Sequence, residues 1–404
     1  MARPWTGLPE GAAAFHIAQV ARGPTWVIAP DREEAERLVA ELTWHGRKVA
    51  YFPADDGRAY EGLSPHPEMP RERILALHGL ALGTVDIIVA PIRALLLRVL
   101  SPSTLAAGVL KAGDQLEPRD FAGRLEDLGY LPVNRVDDPG TFHHRGGEVL
   151  DFWPTAQPSP VRIEWFDDEI ERISQLDLET LRSTGTLAQL ELLPAREEVL
   201  GEAAMSRARR MLRERCESLG YGERLRREVL EDAKAGLRFS GMDAWLPAFQ
   251  ELVSPLAHRR LDRKKPKIIL LDSESCAYTL LQAEATVRAA YAGMPKSDRP
   301  LVGPMERFRS AEEVQKELKG AQVIQPVAFD GSKELGFRAN DDLRIGGAEL
   351  APLVGRLSDW LAEGWRVALV ADSASRAERI RQLFTPHGLA PKETSEHDPD
   401  KWER

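Results

Sequence analysis

The residues most able to do chemistry near the start of the chain are Gly7-Leu-Pro-Glu-Gly-Ala-Ala-Ala14, placed where a phosphate-binding loop would precede the first strand–helix pair. Such a loop needs Gly-x-x-x-x-Gly-Lys-Ser/Thr: its amides cradle phosphate, the Lys meets the β/γ charge and the hydroxyl holds magnesium. Gly7 and Gly11 are present, the Lys and the hydroxyl are not, and Glu10 would repel an anion. No Gly-Lys-Ser/Thr occurs anywhere in the chain. Asp272-Ser273, at the end of the apolar run Lys267-Ile-Ile-Leu-Leu, stands where a Walker B acid pair would, with Ser273 in place of the catalytic carboxylate. Asp168-Glu169-Ile-Glu171 matches a DExx string, but its strand alternates polar and apolar residues as a half-exposed sheet does, so the match is read as chance. The layout is that of an NTPase without its chemistry. Gly7, Gly11, Asp272 and Ser273 are expected to form a degenerate, inactive nucleotide site, with no catalytic residue, cofactor or metal.

Other clusters have plainer accounts beside their functional ones. His143-His144 near Asp137-Asp138 could bind a metal or face solvent. Asp167-Asp168-Glu169 could hold a hard cation, or be an acidic turn between two strands. The Arg and Lys residues of 207–238 alternate with Glu at helical spacing, as intrahelical pairs on a solvated face do. His258 to Lys267 is the best phosphate-contact candidate, and equally a polar loop feeding a buried strand.

Val161-Arg-Ile-Glu-Trp-Phe166 is more informative. Alternation puts Val161, Ile163 and Trp165 on one face and Arg162, Glu164 and Phe166 on the other. If the continuous apolar set faces the core, Arg162 and Phe166 stand in solvent, with Arg145 on the neighbouring segment. An Arg beside an exposed aromatic is the composition of a protein-docking hot spot. The alternative is that Phe166 is a core residue at a strand end.

The elements that must position these residues can be read coarsely. Thr25 to Pro30, Lys48 to Phe52 and Val85 to Ala90 are strands. Asp31 with Glu34 starts a helix to about Leu42, and a helix is expected over Ile92–Leu100. Apolar strands alternating with helices indicate a buried parallel sheet. From 112 to 200 the period changes to short strands, Val149–Trp153, Val161–Phe166 and Glu169–Leu176, with turns at Pro154–Pro160 and Asp167-Asp168. A charged helical stretch follows over 201–240, then a strand at Lys267–Asp272 that returns to the first sheet. Residues 295–347 read as loop-rich. Trp365–Ala371 reads as a strand leading to a helix ending at Phe384 and a polar tail, Lys392–Arg404; 348–404 is taken as the opening of an unfinished domain.

The 404 residues suit several domains. With 54 Lys and Arg against 63 Asp and Glu, the net charge is −9, which argues against a protein that coats nucleic acid by charge alone. The two cysteines, Cys216 and Cys276, suit a reducing compartment. No apolar run approaches membrane-spanning length, and no secretory leader is recognised. The expectation is a cytoplasmic protein with no membrane partner.

Over much of the chain the residues resemble a known family. The resemblance is carried by Ala29-Pro30-Asp31, Phe52-Pro53, Ser64-Pro65-His66-Pro67 with Arg73, Ile88-Val89-Ala90, Gly140-Thr-Phe142, Arg145-Gly146, Asp151 to Pro154 and Phe166-Asp-Asp-Glu-Ile170. In this order and spacing they resemble the N-terminal part of the bacterial transcription-repair coupling factor (Mfd) family, whose first domains form a module like the excision-repair protein UvrB.

The resemblance implies an α/β fold: a degenerate helicase-type, P-loop NTPase-like domain with a small α+β domain inserted, and the start of a second, Rossmann-like domain. It implies domain 1a over 1–111, a UvrA-binding domain 2 over 112–200, domain 1b over 201–335, and a linker with an incomplete domain 3 over 336–404. The family's UvrA-contacting residues fall on Arg145, Arg162 and Phe166. RNA polymerase and DNA would be reached only through domains outside these 404 residues, so the implied role is non-catalytic recruitment of UvrA. The rivals are an active ATP-dependent DNA translocase and a UvrB-like damage binder, although Tyr60–Arg71 lacks the Tyr-rich hairpin with which UvrB grips DNA.

One departure stands out. The family spaces its first Arg five residues before the strand Asp, whereas Arg145 precedes Asp151 by six. A one-residue slip turns a side chain to the other face of a sheet, unless Gly146-Gly147 absorbs it in a bulge.

Overall fold

The computed structural model describes residues 3–9, 11–55, 60, 66–219, 223–234, 242–262, 264–295, 300–327, 332–337, 350–369, 371 and 373–392. Glu10, Ser64, Pro65 and the tail beyond Lys392 therefore lie outside the described residues. The chain opens with Trp5–Thr6 (β1), Thr25–Ala29 (β2), Val49–Tyr51 (β3) and Ile87–Pro91 (β4). β2 and β4 are buried at every position. Strands covered on both faces need no polar alternate, which is why they read as unbroken apolar runs. Asp31 accepts a hydrogen bond from the Glu34 amide at 2.9 Å and so starts the helix Arg32–Trp44. A further helix, Glu68–Leu82, stops at Gly83 in the left-handed conformation.

Ile92–Leu100 departs from the expected helix. Ile92–Leu96 makes only a 3-10 turn, and Val99–Leu100 then forms a short strand (β5). Only Arg93 and Arg98 interrupt this short apolar run, too few polar residues to mark a period, so sequence cannot separate the two outcomes. Gly108–Lys111 (β6) leads into the inserted domain.

That domain contains the helix Pro118–Asp127 and six strands: Leu131–Pro132 (β7), Thr141–Gly146 (β8), Val149–Phe152 (β9), Val161–Phe166 (β10), Glu169–Leu176 (β11) and Ser183–Thr186 (β12). They form one sheet in chain order, antiparallel but for the β7–β8 pair. Phe121, Leu125, Tyr130, Phe152, Ile163 and Trp165 pack into its core. Gln189–Leu192 (β13) pairs with β6, so the strands that enter and leave the insertion are joined.

The chain then forms the charged helices Glu202–Leu219 and Glu223–Lys234, and Leu252–Val253 (β14) pairs with β5. Lys267–Leu271 (β15), Gln322–Ile324 (β16) and Lys333–Glu334 (β17) complete a seven-stranded parallel sheet of order β17-β1-β16-β15-β2-β4-β3. Residues 295–347 carry more structure than the expected loops. Besides β16 and β17 they hold the helices Pro304–Arg307 and Ala311–Glu317, the latter started by a Ser310/Glu313 capping box.

The expected strand Trp365–Ala371 is not formed over 365–369, which make no ladder, and Trp365 is 64% exposed. The helix to Phe384 is present as Ala374–Phe384, capped by Ser373. A strand is stable only beside another, and 365–369 has no such neighbour among the described residues.

Candidate docking face

The outer face of the inserted sheet is built by the period of β10. Val161, Ile163 and Trp165 are buried, while Arg162 and Glu164 are half-buried and Phe166 is 70% exposed. Trp165 fixes this choice: its indole enters the core and its Nε1 donates to Leu116 O at 2.7 Å. The β10–β11 hairpin turns at Asp167-Asp168, with Asp167 at φ +53°, and is tethered to the chain before the helix by Leu116 N to Asp168 O, 2.7 Å. Phe166 therefore stands on a braced hairpin rather than a loose loop.

Arg162 pairs across β9 with Asp151, whose side chain is only 2% exposed. Its Nε donates to Asp151 Oδ1 at 2.6 Å and its Nη2 to Oδ2 at 2.9 Å. That forked bond raises the arginine pKa above its ordinary value, because the charged form is the one that donates. On β8 the ladder with β9 shifts between His144 and Gly146, leaving Arg145 as the additional residue of a bulge. Gly146 and Gly147 follow at φ +93° and +63°, conformations glycine takes without steric cost. The bulge takes up the six-residue spacing and brings Arg145 to the outer face, where its Nε donates to Asp151 Oδ2 at 2.7 Å. Both guanidinium groups thus converge on one enclosed carboxylate. Beside them Arg172 Nε donates to Glu164 at 2.7 Å, a neutral pair between the arginines and Phe166. Phe166 lies about 13 Å along the strand from Arg162.

Sequence reasoning did not identify Asp151 as part of this face; it served only as a marker of strand spacing. The signal available was a carboxylate on a strand next to a strand carrying Arg162, and using it required the register.

The remaining candidates are placed elsewhere. β1, Gly7 at φ +72°, Gly11 at φ +80° and the helix Ala12–Val20 follow one another as strand, loop and helix. Glu334, paired with Thr6, lies over the loop, and a methyl group at Gly7 would sit 2.9 Å from its Cγ. Asp272 is spent as a helix cap, accepting from Ser275 N at 3.1 Å and Ser275 Oγ at 2.6 Å, while Ser273 bonds Gln325. β16 lies between the strands that carry the two halves of this site.

His143 Nδ1 donates to Val133 O, His144 bonds Gly147 O and Asp137 pairs with Arg135, so the histidines and Asp137-Asp138 do not converge. Among the described residues no three His, Cys, Asp or Glu side chains are grouped to hold a metal, and no helix is long and apolar enough to cross a membrane. His258 is not a phosphate contact. It is buried, donates to Leu100 O at 2.9 Å, and is pushed down to about 4 by desolvation. In the charged helix, Arg209 pairs with Glu202 and Arg215 with Glu306.

Residues 109–197, which include β7 to β13, match the UvrB interaction domain family. Over 95% of its length the chain is 27% identical to the transcription-repair-coupling factor of Myxococcus xanthus and 28% identical to that of Haemophilus influenzae. It is 26% identical to that of Escherichia coli over the same share. The chain spans about a third of the length of these curated relatives, 34% of each.

Proposed function

We propose, for a chain that corresponds to the N-terminal UvrB-like region of the transcription-repair coupling factors, that the inserted domain docks UvrA through the outer face of its sheet. The observation that carries this reading is the pairing of Phe166, 70% exposed on a braced hairpin, with the cationic side chains Arg162 and Arg145 on the same face. A soluble surface gains nothing for folding by exposing a phenyl ring at that position. An apolar anchor next to guanidinium donors is what a partner's pocket and acceptors can engage. The role is non-catalytic recruitment in transcription-coupled excision repair. The seven-stranded domain supports the face, and its vestigial nucleotide loop, lacking Lys and faced by Glu334, hydrolyses nothing.

The test is titration calorimetry of the whole chain with UvrA, comparing wild type with Arg162→Ala and Phe166→Ala. Losses of about 30-fold are expected at each position. No binding by wild type, or unchanged binding by both variants, removes the reading, and DNA-stimulated ATP hydrolysis by the chain would favour a translocase instead.

A further inference from the structure

We infer that Asp151 is a positioning residue of the docking face: it orients Arg145 and Arg162 as a single two-pronged donor. This rests on the docking reading above. Both arginines give their Nε to Asp151, at 2.7 and 2.6 Å, and Arg162 adds Nη2 at 2.9 Å. Nε is the donor nearest the stem of the side chain. Fixing it sets the plane of the guanidinium and leaves its outer edge for another acceptor. Among the described residues no hydrogen bond joins the η nitrogens of Arg145 or Nη1 of Arg162 to protein. The carboxylate is 2% exposed, whereas the arginine side chains are 42% and 21% exposed, so Asp151 itself cannot be the group a partner touches. A long flexible side chain that must be ordered on binding loses rotamer entropy; one already held loses less. Three formal charges in the cluster sum to +1, so the partner group it fits is a carboxylate.

The inference separates from simple charge complementarity by sign. If charge alone mattered, Asp151→Asn would remove a negative charge, raise the cluster from +1 to +2 and tighten binding to an acidic partner. If Asp151 positions the arginines, Asp151→Asn weakens it. UvrA affinity of the whole chain is measured for wild type, Asp151→Asn, Arg162→Ala and the double variant, with melting temperature alongside. The expected result is a loss of about 10-fold for Asp151→Asn, with the Arg162→Ala effect shrinking to about 3-fold in that background. Unchanged or tighter binding by Asp151→Asn, or fully additive losses, overturns the inference.

Should Asp151→Asn fail to fold, Arg162→Lys keeps the charge but lacks the fork. It is expected to lose about as much as Arg162→Ala, within roughly 3-fold, and wild-type affinity for it overturns the inference. If wild type does not bind UvrA, the docking reading fails and the positioning role is judged without partner. In arginine-selective 15N NMR, slow Nε–H exchange of Arg145 and Arg162 that becomes fast in Asp151→Asn upholds it, and identical exchange in both removes it.

Discussion

Arg73 and Glu197 lie 124 positions apart and meet in a fully buried, two-pronged ion pair, Nε to Oε1 at 2.9 Å and Nη2 to Oε2 at 3.0 Å. Arg73 belongs to the helix Glu68–Leu82 of the large domain, and Glu197 to the segment leaving the inserted one. Arg307 reaches the same carboxylate at 3.3 Å, and Asp55 takes a bond from Arg73 Nη1 at 2.9 Å. A short distance away Arg71 donates to Thr155 O, and Thr155 shares the Tyr130 hydroxyl. The inserted domain is therefore joined to the helix Glu68–Leu82 of the large domain by largely buried polar contacts.

Removing one member of that hub leaves buried guanidinium charge without its partner. Glu197→Gln should lower unfolding stability by about 3–5 kcal/mol, read from urea denaturation. A change below about 1 kcal/mol would show that the pair does not fasten the domains.

Trp165 and Phe166 are neighbours with opposite fates. Trp165→Ala empties the core and removes the bond to Leu116, and should cost about 3–5 kcal/mol of stability. Phe166→Ala should leave the melting temperature within a degree or so, since an exposed surface change costs less than about 0.5 kcal/mol, while UvrA binding falls. Circular dichroism melts of both variants check the contrast.

Gly146 holds the bulge at φ +93°. Gly146→Val places a branched side chain in a conformation it resists by about 1–2 kcal/mol, so the hairpin should straighten and carry Arg145 off Asp151. The expected result is a UvrA affinity equal to that of Arg145→Ala, together with a lowered melting temperature. Wild-type affinity for Gly146→Val would mean that the bulge does not aim Arg145.

His258 has a folded pKa of about 4 against an ordinary 6.5. A lowered histidine contributes stability that is complete above pH 6.5 and is lost as pH falls through about 4, here up to about 3 kcal/mol. Asp243, raised to about 7 by burial, acts oppositely: its contribution is complete below its ordinary 3.8 and lost as pH rises through 7. His258→Gln against wild type isolates the histidine. Melting temperatures at pH 7 and pH 4.5 should differ less in the variant, and equal acid losses would contradict the assignment.

Elements whose cause is local could be read from the order of residues alone. The Asp31 cap, the unbroken strands β2, β4 and β15, the alternation along β10 and the missing phosphate-loop lysine were all legible because each depends on residues within a few positions. Tertiary structure decided what depends on register and neighbours. It turned Ile92–Leu100 into a turn and strand because β14 offered a ladder, and it left 365–369 unpaired because nothing offered one. It also brought Arg145, Asp151 and Arg162 together, since a bulge absorbed the extra residue and kept Arg145 on the face of Asp151, and it joined Arg73 to Glu197. Hydrogen bonds between distant segments are set by how strands slide and helices pack, and no spacing along one chain encodes that by itself.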